Sequence, residues 1–189
     1  MSRPAQTPEE IRSALKPILV KYAHRRLDKP IRLASGAETS EYFDGKQITM
    51  FPDRAVLFIR FILETVDLSR IQAVGGMSIG ADPIVTGVSL LASLEKEIQI
   101  PAFFVRKEAK KHGLQKKIEG VDLKPGMNVL VVEDVVTKGG STLSAIEAVE
   151  SAGATVAHIV CLVDREAGGG KILSSKYPFT AAFKKSEIR

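Results

Sequence analysis

Short strands that are apolar along their whole length constrain this chain more than any other feature. Val129-Leu130-Val131-Val132 has no polar residue on either face, and Val156–Val163 has only His158. Ala102–Val105 repeats the pattern, Ala73-Val74 is a shorter case that ends in Gly75-Gly76, and Phe179–Phe183 reads as a last short strand. A strand with one face in water alternates apolar with polar, whereas a strand covered on both faces does not. Helical patterns separate these strands: one opens at Asp82-Pro83 and runs through Leu94, another spans Ser141–Ser151 and stops near Gly153. The expectation is an α/β fold, a parallel sheet flanked by helices. With 189 residues, 44% of them hydrophobic, one such domain with at most a small appendage fits.

The first fifty residues stand outside the alternation. Thr7-Pro8-Glu9-Glu10 is a helix start, with a hydroxyl cap, a proline in the first turn and acids at the positive end of the dipole. Ile11, Leu15, Ile18, Leu19 and Tyr22 follow at helical spacing, with Pro17 expected to kink or divide the helix. Extended pieces are expected around Ile31–Ala34 and Glu41–Asp44, with a turn at Ser35-Gly36, and a second helix opens at Pro52-Asp53.

A net charge of +5 suggests an anionic partner without choosing among nucleic acid, membrane and phosphorylated metabolite. The single cysteine, Cys161, excludes an intrachain disulfide. The N-terminus carries acids where a secretory signal needs an apolar core, and no run reaches the roughly 18–20 apolar residues of a membrane span. A cytoplasmic protein with no membrane partner is expected.

Chemistry concentrates where Val129–Val132 runs into Glu133-Asp134 and then Thr137-Lys138-Gly139-Gly140-Ser141-Thr142, at the start of the next helix. Ligands of open α/β sheets sit outside the carboxyl ends of the strands. A helix N-terminus offers free N–H groups to an anion, glycines allow close approach, and the hydroxyls of Thr137, Ser141 and Thr142 add bonds. Carboxylates repel phosphate, so the acids should face another part of the ligand, and the vicinal hydroxyls of a ribose suit them. Two solvated acids before a capped helix is the structural alternative. The lysine and spacing exclude a Walker-type loop, and no G-x-G-x-x-G follows a strand here.

VVEDVVTKGGST resembles the phosphoribosyl-pyrophosphate signature of type I phosphoribosyltransferases. The resemblance implies a binding segment made of Glu133, Asp134, Val135, Val136, Thr137, Lys138, Gly139, Gly140 and Ser141. In it the acid pair holds the ribose 2′- and 3′-hydroxyls and the loop cradles the 5-phosphate.

Between Val105 and Val129 lies a polar stretch too long for an ordinary connection, with six cations from Arg106 to Lys117. A solvated basic loop and a mobile flap closing over a pyrophosphate both suit it. A nucleic-acid surface would want interleaved aromatics, and none follows Phe104 in that stretch. Arg106-Lys107-Glu108-Ala109-Lys110-Lys111-His112-Gly113 is similar to the loop of the orotate phosphoribosyltransferase branch. That likeness implies pyrophosphate contacts from Arg106, Lys107 and His112, with Lys110 as mobile cation and acid at the leaving group. It also implies a homodimer in which the 106–120 loop reaches the partner's site.

Leu33-Ala34-Ser35-Gly36 and Ser40–Asp44 resemble the segment that roofs the pyrimidine. Val163-Asp164-Arg165-Glu166-Ala167-Gly168-Gly169 resembles the strand end where an arginine meets the orotate carboxylate. Arg165 has the planar fork for that contact, a salt bridge to Asp164 or Glu166 being its structural alternative. Thr137 is the second residue implied for orotate. The family organisation implies a single domain: an N-terminal helix and hood over 1–50, an α/β core over 51–189, and the loop at 106–120.

Two departures stand out: Ala34, and Ser78 after the glycines, occupy places where some members carry lysines. The implied reaction moves the ribosyl 5-phosphate group of phosphoribosyl pyrophosphate to orotate, with Glu133, Asp134 and Lys110 as the catalytic set. Mg²⁺ is expected to arrive chelated by the substrate, since no protein metal cluster is visible. A purine-type transferase, a non-catalytic phosphoribosyl-pyrophosphate-binding regulator and a paralogue that has lost activity are the competing readings, the last opposed by intact Glu133, Asp134, Arg106 and Lys110. His24 and His158 are read as structural.

Overall fold

A computed structural model of the chain describes residues 6–32, 38–108 and 117–188. Helix α1 (Pro8–Tyr22) begins in a reciprocal cap: Thr7 Oγ1 accepts the N–H of Glu10 at 3.3 Å, and the Glu10 carboxylate accepts the N–H of Thr7 at 2.7 Å. Such caps stabilise by about 1 kcal/mol. Of the two outcomes expected at Pro17, a kink or a division, division does not occur, since the helix runs on through it. Ile11, Leu15 and Leu19 are fully buried on one stripe. Three such side chains, at roughly 1.5–3 kcal/mol each, outweigh the roughly 3 kcal/mol of an internal proline.

Strands β1 (His24–Arg32) and β2 (Glu38–Phe43) form a two-stranded antiparallel ribbon. It starts well before the expected Ile31, because HRRLDKPIR pairs as a polar edge with no apolar run to announce it. The expected Ser35-Gly36 turn lies outside the described residues. A single helical turn, α2 (Lys46–Thr49), and the long α3 (Pro52–Thr65) lead into the core.

The main sheet is built from β3 (Ala73–Met77), β4 (Ala102–Val105), β5 (Ile118–Gly120), β6 (Asn128–Val136), β7 (Thr155–Asp164) and β8 (Phe179–Lys184). Their order is β5-β4-β3-β6-β7-β8. Five strands are parallel, and β5 is an antiparallel edge strand paired with β4. The expected wholly parallel sheet therefore gains an opposed edge. The same pairing corrects the bounds of the basic loop, since 118–120 is strand and the Arg106 N–H donates to Lys117 O at 2.8 Å.

Alternate residues explain the apolar strands. Leu130, Val132, Val160 and Leu162 join the core under α1, α3 and α4 (Asp82–Lys96), while Val129, Val131, Ile159 and Cys161 join the core on the other face, under α5 (Gly140–Ser151). Strand β3 does not end at its glycines. Gly75 and Gly76 continue its ladder with β4, and Phe103 and the Val132 carbonyl fill the places of their missing Cβ atoms. Between β3 and β6 the chain reverses its direction across the sheet, first outward to β4 and then back past β3 to β6. Crevices of this kind hold ligands in open α/β sheets.

Candidate active site

The acid pair stands at that crevice. β6 pairs with β3 only as far as Val131, but with β7 as far as Val136. Glu133 and Asp134 therefore lie within β6, not beyond its end, on the length that has outrun β3. In place of β3 they meet its exit loop, Ser78-Ile79-Gly80-Ala81. A Cβ on Gly80 would stand 2.8 Å from Asp134 Oδ1, and one on Gly45 2.7 Å from Asp134 Cβ. Two segments remote in sequence thus close on one carboxylate, and each needs a glycine at the contact.

The two acids differ. Glu133 is buried and accepts from Thr142 Oγ1 at 3.4 Å, while its Oε1 accepts the N–H of Asp134 at 3.2 Å. Burial, then the charge of Asp134, pushes its carboxyl well above the usual carboxylate range. Asp134 opens toward the cleft, its Oδ1 accepting the Val135 N–H at 2.8 Å and its Oδ2 standing 3.7 Å from Lys46 Nζ. Thr142 thus serves Glu133, where the sequence reading had offered its hydroxyl to an anion.

Val135 and Val136 complete β6, and the loop Thr137–Gly139 turns into α5. Gly139, at φ +79°, is the cap residue and supplies no side-chain acceptor, so the first N–H groups of α5 have no cap acceptor. The Thr137 carbonyl accepts the Gly169 N–H at 3.0 Å, which docks this loop against the turn after β7. Glu133 through Thr142 line one cleft of about 650 Å³ together with Tyr42, Phe43, Asp44, Gly45, Lys46 and Arg165.

Arg165 enters from the end of β7. Its Nη2 donates to the Glu41 carbonyl at 2.9 Å and to Thr39 Oγ1 at 3.3 Å, so the ribbon β1–β2 roofs it. The alternative of a bridge to its neighbours does not hold: Asp164 Oδ1 accepts the Glu166 N–H, and Glu166 Oε2 accepts the Ser186 N–H. Its Nε is buried with no partner among the described residues. Burial lowers the guanidinium pKa, against the opposing pull of Glu41.

Other expectations fare differently. Arg106 pairs with Glu119 across the β4–β5 hairpin at 2.8 Å, and neither it nor Lys107 lines this cleft. Lys110 and His112 lie outside the described residues. Lys46 and the Ser78–Gly80 loop were not anticipated as partners of the acid pair. A lone lysine after Asp-Gly carries no signal that it will stand beside an acid so far along the chain. His24 stacks on Phe43 at 4.7 Å, and His158 Nε2 lies 2.9 Å from Thr180 Oγ1, both in structural settings. Among the described residues no group of three or more His, Cys, Asp or Glu could hold a metal ion. No helix among them is long and apolar enough to cross a membrane.

The family model for the phosphoribosyl transferase domain matches residues 83–182. The orotate phosphoribosyltransferase of Nostoc sp. is 41% identical over 165 residues, covering 87% of this chain and 78% of that protein. That of Leptospira biflexa is 40% identical over 184 residues, covering 94% and 97%. Among solved structures, a Corynebacterium diphtheriae phosphoribosyltransferase superposes with a TM-score of 0.78 at 30% identity, covering 94% of this chain and 98% of that one. The Mycobacterium tuberculosis orotate phosphoribosyltransferase in complex with 5-phospho-α-D-ribosyl 1-diphosphate gives 0.73 at 28% identity, with the same two coverages. The crevice at the sheet reversal, the acid pair on its strand and the cap-free helix start agree with these likenesses, and the chain belongs to the phosphoribosyltransferase family, in its orotate phosphoribosyltransferase branch.

Proposed function

We propose that the chain transfers the ribosyl 5-phosphate group of phosphoribosyl pyrophosphate to N1 of orotate, releasing orotidine 5′-monophosphate and pyrophosphate. One observation carries this reading. A single cleft holds the adjacent carboxylates of Glu133 and Asp134, an uncapped helix start behind a hydroxyl-and-glycine loop, and an arginine whose buried Nε–H has no partner among the described residues.

The 5-phosphate sits at Thr137–Ser141, on the N–H groups of the loop and the first turn of α5. Asp134, facing the cleft, accepts hydrogen bonds from the ribose hydroxyls, and Glu133 supports it from behind. Lys46 offsets the negative charge that the acids would otherwise turn toward an anionic substrate. It supplies a cation to a site that lacks the lysines some relatives carry at the positions of Ala34 and Ser78. Arg165 meets the orotate carboxylate with its fork, with Thr137 alongside.

Breaking the C1–O bond puts positive charge on the sugar and negative charge on the pyrophosphate, so catalysis is electrostatic stabilisation and positioning. The acids stabilise the first charge. Arg106, Lys107, Lys110 and His112, on the basic loop, stabilise the second, with Lys110 giving a proton to the leaving group. Among the described residues no group of three or more His, Cys, Asp or Glu could hold a metal ion, so a Mg²⁺ ion would arrive chelated by the substrate, with Glu133 and Asp134 as the carboxylates that would help hold it. The chemistry it would supply there is neutralisation of charge on the pyrophosphate.

A homodimer completes the loop's role. Exposure of Met50, Ile79 and Leu90 around an apolar groove between α3 and α4 supports that groove as its contact face. Ile79 follows Ser78 on the same exit loop whose Gly80 touches the acid pair, so a partner docked there stands beside this site. The cytoplasm is the compartment assigned, in keeping with one buried cysteine.

The test is pyrophosphate release measured in parallel with orotate, adenine, hypoxanthine and guanine. Release with orotate alone supports the reading, and release with a purine in its place overturns the assignment of Arg165.

A further inference from the structure

Arg165 is aimed by a cluster that the transfer itself does not use. Its two bonds to the ribbon both run through Glu41: directly to the Glu41 carbonyl, and to Thr39 Oγ1, which also bonds the Glu41 carbonyl at 2.9 Å and N–H at 3.1 Å. The Glu41 carboxylate has partners of its own. Its Oε2 pairs with Lys185 Nζ at 2.6 Å, and its Oε1 faces His24 Nε2 at 3.5 Å.

Lys185 opens a short 3₁₀ turn, Lys185–Glu187, which also holds the arginine's own loop. The Ser186 N–H donates to Glu166 Oε2 at 2.8 Å, and Glu187 bridges Arg12 of α1 at 2.8 Å. One C-terminal turn therefore grips both the roof of the cleft and the loop bearing Arg165. A two-stranded ribbon is marginal alone and takes its position from such tethers.

We infer that Glu41 and Lys185 form a clasp that positions Arg165 for the carboxylate of orotate. The clasp keeps the Glu41 carboxylate occupied. Without Lys185 that carboxylate, on the very residue whose carbonyl already holds the guanidinium, becomes the nearest competing acceptor for Arg165. A charge-assisted fork to Glu41 would displace the weaker carbonyl bond and turn the arginine from the cleft. Hydrogen bonding by Lys185 holds the Glu41 carboxyl below its usual range, so the pair is charged at neutral pH. Both residues are positioning residues, and the inference rests on reading Arg165 as the orotate contact.

The experiment is steady-state kinetics with each substrate varied in turn, for wild type, Lys185→Met, Lys185→Arg and Lys185→Met/Glu41→Gln, with melting temperatures alongside. Lys185→Met should raise KM for orotate about five-fold, the scale of a partly exposed ion pair, and leave kcat and KM for phosphoribosyl pyrophosphate within about two-fold. Lys185→Arg and the double variant should return KM for orotate to near the wild-type value, since a neutral amide does not compete for the guanidinium. An unchanged KM for orotate in Lys185→Met would overturn the clasp. So would an equal rise in both KM values with a lowered melting temperature, which marks a merely structural pair. If wild type neither binds nor turns over orotate, the reading of Arg165 falls at that first measurement, and the clasp falls with it.

Discussion

Glu133, proposed to back the ribose-holding acid, sits where its charge works against the fold. It is buried beside a second carboxylate, with Thr142 as its single hydroxyl donor, and its carboxyl pKa stands well above the ordinary value near 4.5. A carboxyl raised by folding contributes stability that is complete below the unfolded value and is lost as pH rises through the folded one. Folding therefore disfavours the ionised form at this position, and stability is lost as pH rises above the unfolded value. Glu133→Gln should lower turnover roughly 100-fold. It should also raise the melting temperature by a few degrees at about pH 8, since ~1 kcal/mol corresponds to about 2–4 °C in a domain of this size. Melting curves from about pH 4 to pH 9 check the sign: the gain should shrink toward the acid end. At this scale the sequence was informative where residue type and setting agree, as with two acids on an apolar strand or an arginine at a strand end. It was silent on Lys46, Gly45 and Gly80, because their proximity to Asp134 exists only after the chain has folded.

Helix α5 shows what an element contributes. Its first turn has a glycine cap at φ +79° and no side-chain acceptor, and its N–H groups are those proposed to hold the 5-phosphate. Gly139→Ala should cost about 1 kcal/mol through the left-handed backbone alone. It should also weaken binding of phosphoribosyl pyrophosphate, read by calorimetry with the nucleotide-free protein, while orotate binding is the control. The helix and its start were legible from Gly-Gly-Ser-Thr before an apolar pattern. Strand lengths were less so. Val129–Val132 was visible as a strand, but β6 runs on through Val136, because β7 continues to pair with it where acids interrupt the apolar run. Gly75-Gly76 looked like a strand end, yet both continue β3, since what glycine signals there is a close neighbour, the Phe103 ring at Gly75 and the Val132 carbonyl at Gly76, and not a turn.

For the whole molecule, alternation of apolar strands and helices was enough to give the class and the crevice at the strand ends. The antiparallel edge β5 was not legible, since Ile118-Glu119-Gly120 is three residues inside a basic stretch. The proposed dimer has a consequence that no single chain can show. If the loop bearing Lys110 serves the partner's acid pair, Lys110→Ala and Asp134→Asn should each be inactive alone yet recover activity when co-expressed. Random pairing gives one sound site in each mixed dimer, hence about a quarter of wild-type turnover. No recovery on mixing would place the loop in its own subunit's site. The central claim is that Asp134 and its neighbours hold the ribose of a substrate that donates to orotate. It is tested most directly by the loss of orotate absorbance with phosphoribosyl pyrophosphate and Mg²⁺, in wild type and in Asp134→Asn. The account expects turnover in the first and a fall of roughly 100-fold or more in the second, with the fold intact. Equal rates in the two proteins, or no consumption of orotate by the wild type, would contradict it.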